Sequence, residues 1–165
     1  MSGRTWKLGD NIDTDVLAPG RYMKFGIDEI ARHWGEDLLP QFAAQVKPGD
    51  VIVAGRNFGA GSSREQAPQA LKHLGVAAVL APSFAGLFYR NALNLGLPVL
   101  VCEAAPQIAD NIACGIDAEA GVVTAGAQQW PCEPIPGFLL AMVNDGGLLP
   151  HLEKKLAQEK QRRLA

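Results

Sequence analysis

A short segment near the middle of the sequence combines side chains and backbone features that could bind an anion. It reads FGAGSSREQAP over residues 58–68 and contains two glycines, two adjacent serines and an arginine. Gly59 and Gly61 allow the backbone to turn sharply and to approach a ligand closely. If a helix follows, its first N–H groups are unpaired and, with the helix dipole, favour a bound anion. We therefore predict a backbone anion site at these two glycines.

A capped helix start is the simpler alternative. Ser62 and Glu65 have the spacing of a capping box, in which two side chains pair with the first N–H groups. Ser63 and Gln66 repeat that spacing, although a capping box needs only one hydroxyl. Arg64 would lie in the first turn, where the helix dipole disfavours a positive charge unless an anion is bound. Because arginine can hold a carboxylate through two parallel hydrogen bonds, we favour a carboxylate site.

The sequence has no motif for other common cofactors. It contains neither G-x-G-x-x-G nor a glycine-rich loop ending in Gly-Lys-Ser/Thr, so dinucleotide and nucleoside triphosphate loops are not expected. Cys102, Cys114 and Cys132 are far apart and have no histidine at metal-ligand spacing. This spacing argues against a disulfide framework, a zinc site and an iron–sulfur cluster, which needs several closely spaced thiolates. We expect no metal in this chain.

The elements around the segment predict an open α/β sheet. Residues 50–55, DVIVAG, are typical of a short buried strand, and residues 64–74 of a helix that ends at Gly75. Residues 76–82, VAAVLAP, indicate a second buried strand.

A second helix and a third strand complete a βαβαβ unit. We expect Ser83 to cap this helix and Gly96 to end it. Its apolar face would comprise Phe84, Leu87, Phe88, Ala92 and Leu95. Residues 97–103, LPVLVCE, follow as the third strand. Parallel strands joined by right-handed crossovers place the serine-rich segment at their carboxyl ends, where ligands bind in such sheets.

The two ends of the sequence are less regular. Residues 5–19 indicate a strand and a loop, and residues 121–137 a hairpin with proline-rich ends. Helices are expected within residues 138–143 and 148–165. The sequence contains no linker and no repeat, and we expect the whole chain, 1–165, to be one domain.

Composition argues against several classes of partner. Charged residues make up 19% of the chain and the net charge is −2, so neither nucleic acid nor an acidic membrane surface is expected. No apolar run reaches the roughly 18–20 residues that span a bilayer. The first residues, MSGRTWKLGD, lack the apolar core of a signal peptide, and we expect a cytoplasmic protein.

Four segments of the chain together resemble one known family. They are GDNIDTDVLAPGRY (9–22), KPGDVIVAGRNFGAGSSREQAP (47–68), APSFAGLFYRNALNLGLPV (81–99) and NDGGLL (144–149). These segments are similar to the small subunits of 3-isopropylmalate dehydratase and homoaconitase, which correspond to the swivelling C-terminal domain of aconitase. The resemblance covers nearly the whole chain in the right order. It implies an α/β fold, an aconitase-type swivelling β/β/α domain with a parallel βαβαβ centre.

The resemblance also implies a two-subunit enzyme. The chain would form a heterodimer with a large catalytic subunit that carries a [4Fe–4S] cluster, and would itself hold no cofactor. The pair would be a hydro-lyase that dehydrates and rehydrates a 2- or 3-hydroxy di- or tricarboxylic acid, as in leucine biosynthesis. The cluster would act as a Lewis acid on the substrate hydroxyl while a base removes a proton next to a carboxylate.

The resemblance assigns roles to four residues. Ser62 matches the serine that is similar to the catalytic base of the aconitases, and N–H donors must stabilise its alkoxide. Ser63 would add a hydrogen bond to the substrate, and Arg64 would bind a substrate carboxylate. Asp15 matches an aspartate that supports a catalytic histidine of the partner. The residues alone would instead favour an Asx turn at Asp15.

The resemblance implies that the loop GRYMKFG, residues 20–26, selects the substrate. Tyr22 and Lys24 align with a segment that reads Tyr-Leu-Arg-Thr in homoaconitases, whereas isopropylmalate enzymes often carry an uncharged residue in place of Lys24. A cation suits a third carboxylate and would be left unpaired beside an isopropyl group. We therefore expect Tyr22 and Lys24 to contact the substrate. The alternative is that Lys24 extends into water and selects nothing.

Three positions depart from the pattern of the family. Ala60, Gln66 and Gly86 stand where it usually has Cys, His and Arg. These departures favour a divergent relative that acts on another hydroxy acid, of the homoaconitate or methylmalate type. A non-catalytic anion-binding or assembly module is a further alternative, but intact Ser62 and Arg64 favour an enzyme.

Overall fold

Within residues 3–165, seven strands form one curled sheet. This structure is a computed structural model, and the first two residues of the predicted domain lie outside its described part. In chain order the strands are β1 (Gly3–Lys7), β2 (Val51–Val53), β3 (Ala78–Ala81), β4 (Val99–Val101), β5 (Ala113–Asp117), β6 (Val122–Ala125) and β7 (Gln128–Pro131). Across the sheet they lie in the order β4-β3-β2-β1-β5-β6-β7.

Four strands form the parallel half of the sheet. β1 pairs with β2, β2 with β3 and β3 with β4, all in parallel. Every residue of β2 and β3 is buried, which fits their short and uniformly apolar sequences. The α/β fold class and the parallel βαβαβ centre are thus confirmed, although each strand is shorter than its predicted range.

The other half of the sheet is antiparallel. β5 pairs with β1, and β6 and β7 extend this side as a hairpin. The hairpin predicted within residues 121–137 is confirmed. β5 was not predicted because its sequence, ACGID, has no regular alternation of apolar and polar residues and contains a glycine.

The described part of the chain forms seven α-helices. They are α1 (Thr14–Leu17), α2 (Ile27–Arg32), α3 (Phe42–Gln45), α4 (Gln66–His73), α5 (Gly86–Asn94), α6 (Gly137–Asn144) and α7 (Leu148–Leu164). The three helices before β2 are four to six residues long, too short to show a clear helical period in the sequence.

The N-termini of two helices differ from the prediction. α4 begins at Gln66 rather than at Arg64, so the serines and Arg64 lie in a loop before it. α5 begins at Gly86, and Ser83 does not cap it. The Ser83 hydroxyl instead accepts the N–H of Asn57 at 2.8 Å and so joins the ends of β2 and β3.

The apolar face of α5 is also only partly as predicted. Phe88 and Ala92 are buried, but Leu87 is 47% exposed and Leu93 is buried in its place. Because successive helical residues are turned by more than a quarter of a circle, Leu87 lies beside the buried stripe rather than on it.

Buried aromatic residues join the N-terminal helices to the rest of the core. Trp34 and Phe42 are fully buried, and their rings are 4.8 Å apart. Trp34 Nε1 donates to the carbonyl of Ala67 in α4 at 3.0 Å. Trp6 in β1 donates to the buried carboxylate of Asp50 at 2.9 Å, next to the start of β2. The Trp34 bond attaches α4 to the N-terminal helices, and the Trp6 bond attaches β1 to the start of β2.

The C-terminal helix α7 contains no buried residue. It is attached near its start, where Asp145 accepts hydrogen bonds from His151 Nδ1 at 2.6 Å and from Lys154 Nζ at 2.8 Å. None of the helices in residues 3–165 is long and apolar enough to cross a membrane.

Candidate active site

Backbone hydrogen bonds attach the serine loop, residues 58–65, to the start of α1. The N–H groups of Gly59 and Ala60 both donate to the carbonyl of Ile12, at 2.8 and 3.1 Å. The Thr14 N–H donates in turn to the Ala60 carbonyl at 2.9 Å. The loop after β2 and the helix after β1 are therefore neighbours, because β1 and β2 pair in parallel and end at the same edge of the sheet.

The two glycines of the loop serve close packing. Both have positive φ, +82° at Gly59 and +88° at Gly61. A Cβ atom on Gly59 would lie 2.3 Å from the Phe88 ring, and one on Gly61 would lie 2.4 Å from the Asp13 carboxylate. The Gly59 N–H is paired with Ile12 and is not free for a ligand, whereas the backbone anion site predicted at the two glycines stays a prediction.

Unpaired N–H groups begin at Gly61. Within residues 3–165, the N–H groups of residues 61–66 donate to no backbone carbonyl. The side chains of Ser62 and Ser63 are exposed beside them. Since unpaired N–H groups before a helix attract negative charge, this arrangement supports an anion site that begins at Gly61, the second of the two predicted glycines.

Ser62, Asp15 and Arg64 meet around one carboxylate oxygen. Ser62 Oγ donates to Asp15 Oδ1 at 2.7 Å, and Arg64 Nε lies 3.2 Å from the same oxygen. The Asp15 side chain is 51% exposed and the Arg64 side chain 27% exposed. The fold thus brings together three predicted site residues, one of which lies far from the other two in the sequence.

A backbone carbonyl fixes the direction of the Arg64 guanidinium. Arg64 Nη1 donates to the carbonyl of Ala18 at 2.7 Å. A Cβ atom on Gly20 would lie 3.5 Å from Arg64 Nη2. The guanidinium is therefore held by Asp15 and Ala18, which both follow β1, and it lies next to the start of the loop 20–26.

Two further residues, which were not predicted from the sequence, shape this site. Thr14 is buried, and its Oγ1 donates to the Ser62 carbonyl at 2.7 Å. Asp13 accepts the Asp15 N–H at 2.7 Å and so caps α1. The Asx turn considered for Asp15 is thus formed by Asp13. Asp13, which directly precedes α1 in the run Asp-Thr-Asp, is the type of residue that predicts an N-cap.

Neither predicted capping box forms. Glu65 occupies the N-cap position of α4 and makes no side-chain capping bond. The Ser62 hydroxyl is bonded to Asp15 instead. Arg64 precedes the helix rather than lying in its first turn, so its position is explained by its contacts with Asp15 and Ala18.

Tyr22 and Lys24 lie apart from these contacts. The Tyr22 hydroxyl donates to Glu36 at 2.8 Å, and its ring stacks on His33 with centroids 3.9 Å apart. Lys24 is exposed, and its Nζ lies 5.3 Å from the centroid of the Phe25 ring. Within residues 3–165, neither side chain makes a hydrogen bond with the serine loop.

Glu36 is the centre of a charged network behind Tyr22. Its carboxylate accepts hydrogen bonds from Arg21, His33 and Tyr22, and these bonds lower the pKa of Glu36 to about 2. The hydrogen bond to Glu36, with a second one to Glu29, outweighs burial and raises the pKa of His33 above its usual 6.5. The network ties the loop 20–26 to the end of α2.

The described residues do not fit a metal or cluster. No group of three or more His, Cys, Asp or Glu side chains in residues 3–165 is arranged to hold a metal ion. Two of the three free cysteines, Cys102 and Cys114, are buried, and Cys132 is partly exposed. The described part of the chain therefore offers no ligand set for an iron–sulfur cluster.

Comparison with known proteins identifies the family. Residues 35–104, which include the serine loop, match the aconitase C-terminal domain family. The methanogen homoaconitase small subunit of Methanothermobacter thermautotrophicus is 49% identical over 160 residues, 94% of this chain and 92% of the relative. The 3-isopropylmalate dehydratase small subunit 1 of Archaeoglobus fulgidus is 48% identical over 151 residues, 89% of this chain and 93% of the relative.

A solved structure agrees with these relatives. The crystal structure of 3-isopropylmalate dehydratase from Methanocaldococcus jannaschii has a TM-score of 0.90 and 41% identity, covering 97% of this chain and 98% of that chain. The chain belongs to the small-subunit family of 3-isopropylmalate dehydratase and homoaconitase. The family expected from the sequence is thus confirmed.

Two of the three departures from the family pattern lie where a different side chain changes few contacts. A Cβ atom on Gly86 would meet no atom within 4 Å, so this position has room for a larger side chain. Gln66 is the first residue of α4 and is only partly buried. Ala60 contributes its backbone, through the bonds to Ile12 and Thr14, whichever side chain it carries.

Proposed function

We propose that this chain is the small subunit of a heteromeric hydro-lyase that dehydrates and rehydrates a 2- or 3-hydroxy di- or tricarboxylic acid, 3-isopropylmalate dehydratase-like. Membership of the small-subunit family supports the reaction type. The observation that carries the site is the meeting of Ser62, Asp15 and Arg64 beside unpaired N–H groups of residues 61–66. The presence of these three residues argues against a purely structural module.

Arg64 is proposed to bind a carboxylate of the substrate. Its Nε and Nη1 are held by Asp15 and Ala18, which orient the guanidinium plane. Nη2 lies beside Gly20, where the absence of a side chain leaves room for a ligand. An arginine fixed in this way binds a planar carboxylate with little loss of side-chain entropy.

Ser62 is proposed to act as the base that removes a proton next to that carboxylate. An ordinary serine hydroxyl is too weak an acid for this role, so its oxyanion needs strong stabilisation. The N–H groups of residues 61–66 and the Arg64 guanidinium are the donors available to it. Ser63, exposed next to them, would hydrogen-bond the substrate.

Asp15 is proposed to link this chain to a catalytic histidine of a large subunit. Its Oδ1 is occupied by Ser62 and Arg64, whereas half of its side chain is exposed. That exposed part is open to a histidine from outside the chain. The large subunit would carry a [4Fe–4S] cluster, which supplies a Lewis acid for the hydroxyl that leaves.

The loop 20–26 is proposed to contact the rest of the substrate and to determine which substrate is bound. Lys24, exposed on it, would suit an additional carboxylate, and Tyr22 would form part of the wall. Cytoplasm is the proposed location, with no nucleic-acid or membrane partner, in keeping with the net charge of −2.

Reconstitution with a large subunit tests the proposal. We expect no hydratase activity from this chain alone and activity on a panel of hydroxy di- and tricarboxylic acids from the complex. In the complex, Ser62→Ala should lower kcat by about 10³-fold or more, and Arg64→Lys should lower kcat/KM by about 10²-fold, because each removes a transition-state contact.

The control is Arg162→Lys, an equally conservative change on the exposed helix α7. It should leave both constants within about twofold, since surface changes rarely matter. If Ser62→Ala and Arg64→Lys keep full activity in a complex that assembles normally, the assigned roles are wrong. If the intact complex acts on no hydroxy acid of the panel, the proposed reaction is wrong.

A further inference from the structure

Two cysteines lie where the outer strands of the sheet meet. Cys102 directly follows β4 and Cys132 directly follows β7, the two edge strands. The Glu133 N–H donates to the Val101 carbonyl at 2.8 Å. Cys102 Sγ lies 3.7 Å from the carbonyl oxygen of Pro131. The edges of the curled sheet are thus in contact at this point.

The strand directions place the two cysteines opposite each other. Pairing is parallel from β4 to β1 and antiparallel at each of the steps from β1 to β7. β4 and β7 therefore run in opposite directions, and the bond between Val101 and Glu133 brings Cys102 level with Cys132. Facing residues on antiparallel strands have Cα atoms about 4.5–5.5 Å apart, within the range that a disulfide bridges.

The local chemistry distinguishes this pair from the third cysteine. The Cys132 thiol donates a hydrogen bond to Cys102, which lowers the pKa of Cys102 to about 7 despite burial. The same hydrogen bond raises the pKa of Cys132. Burial raises the pKa of Cys114 to about 11, so Cys114 stays a thiol. Cys132 is partly exposed, whereas Cys102 and Cys114 are buried.

We propose that Cys102 and Cys132 form a reversible dithiol–disulfide pair that closes the sheet when the chain meets a small-molecule disulfide. The singly ionised pair shares one proton between the two sulfurs. When that proton lies on Cys102, the thiolate of the partly exposed Cys132 attacks the external disulfide. One sulfur of that molecule leaves as a thiolate, and the other stays on Cys132 as a mixed disulfide. Cys102 then loses its proton to solvent and attacks the Cys132 sulfur, which releases the second thiolate. Two protein thiols are oxidised and one external disulfide is reduced to two thiols.

Mass spectrometry of the full chain tests the proposal. The reduced chain is incubated with oxidised glutathione, quenched in acid, alkylated under denaturing conditions and digested. Of the three thiols, we expect one alkylated cysteine, Cys114, and a peptide in which Cys102 is joined to Cys132. Dithiothreitol should restore three alkylated cysteines. The oxidised chain should unfold at a temperature higher by roughly 5–10 °C, because the bridge restrains the unfolded chain.

Single substitutions separate the steps. In Cys102→Ser, the mixed disulfide on Cys132 cannot be resolved, so glutathione should stay bound there. In Cys132→Ser, the exposed entry point is lost and the two buried thiols should stay free. Cys114→Ser is the matched control and should form the bridge as the wild type does. Three alkylated cysteines in oxidised wild type, a bridge that includes Cys114, or stable glutathione on Cys132 would each overturn the proposal, and the wild-type result stands even if a variant misfolds.

Discussion

The conformation of the serine loop requires glycine, which has no side chain, at position 61. Gly61 has φ +88°, a backbone conformation that residues with a Cβ atom rarely adopt. A methyl group there would also meet the Asp13 carboxylate, which caps α1 and so positions Asp15. A single methyl group at Gly61 would therefore disturb both the loop and the aspartate that Ser62 contacts.

Gly61→Ala should accordingly lower the free energy of unfolding by about 2–3 kcal/mol, through the positive φ and the steric overlap. Denaturant unfolding measures this change. The matched control is Gly86→Ala, at which a Cβ atom meets nothing within 4 Å and the helix begins. The control should stay within about 0.5 kcal/mol of wild type. Equal stability of the two variants would show that the Gly61 contact does not constrain the loop.

At the scale of elements, the end of α2 is joined to the loop 20–26 through Glu36 and His33. The pKa of His33 is raised, so its contribution to stability is complete below the usual 6.5 and disappears as pH rises through the raised value. The pKa of Glu36 is lowered from 4.5 to about 2, so its contribution is complete above 4.5 and disappears as pH falls. Both contributions to stability are therefore complete between pH 4.5 and pH 6.5.

The change His33→Gln tests this pH window. Wild type should unfold roughly 1–3 °C above the variant near pH 5.5, and the difference should shrink as pH rises towards 8. Thermal unfolding at a series of pH values measures it. Glu36→Gln serves as the control, because it removes the partner that raises the His33 pKa and should flatten the same profile. An unchanged pH profile in both variants would contradict the proposed coupling.

At the scale of the whole molecule, the core and the C-terminal helix contribute very differently to stability. The core around the sheet contains the buried aliphatic and aromatic side chains, whereas α7 contains no buried residue. Its contacts with Asp145 come from His151 and Lys154, in its first two turns. The remainder of α7 lies in solvent.

Removal of residues 157–165 should consequently change the unfolding temperature by less than about 2 °C, because no apolar surface leaves the core. Circular dichroism melting would measure it, with a longer deletion of residues 148–165 as the comparison. The longer deletion also removes the bonds to Asp145 and should cost more. A large loss from the shorter deletion would mean that α7 stabilises the fold in a way its exposure does not show.

The parts of the fold that were predicted depend on short-range patterns. Uniformly apolar runs at residues 51–53 and 78–81 indicate buried strands, and the glycines that follow the helices mark their ends. The helices α1, α2 and α3 were not predicted because four to six residues are too few for a helical period to appear, and β5 was not predicted because its sequence does not alternate between apolar and polar residues. Helix starts were misplaced at Arg64 and Ser83, because both side chains bond to residues distant in the sequence.

The sequence by itself determined the fold class, the family and the chemical types at the site, since these follow from local residue patterns and from motifs in order. Only the tertiary structure decided that Ser62 and Arg64 share one oxygen of Asp15, that Asp13 rather than Asp15 forms the cap, and that Cys102 lies beside Cys132. Such pairs depend on strand register and sheet curvature, which bring together residues far apart in the chain. The secondary-structure propensity of a short segment contains no information about which distant residues it will contact.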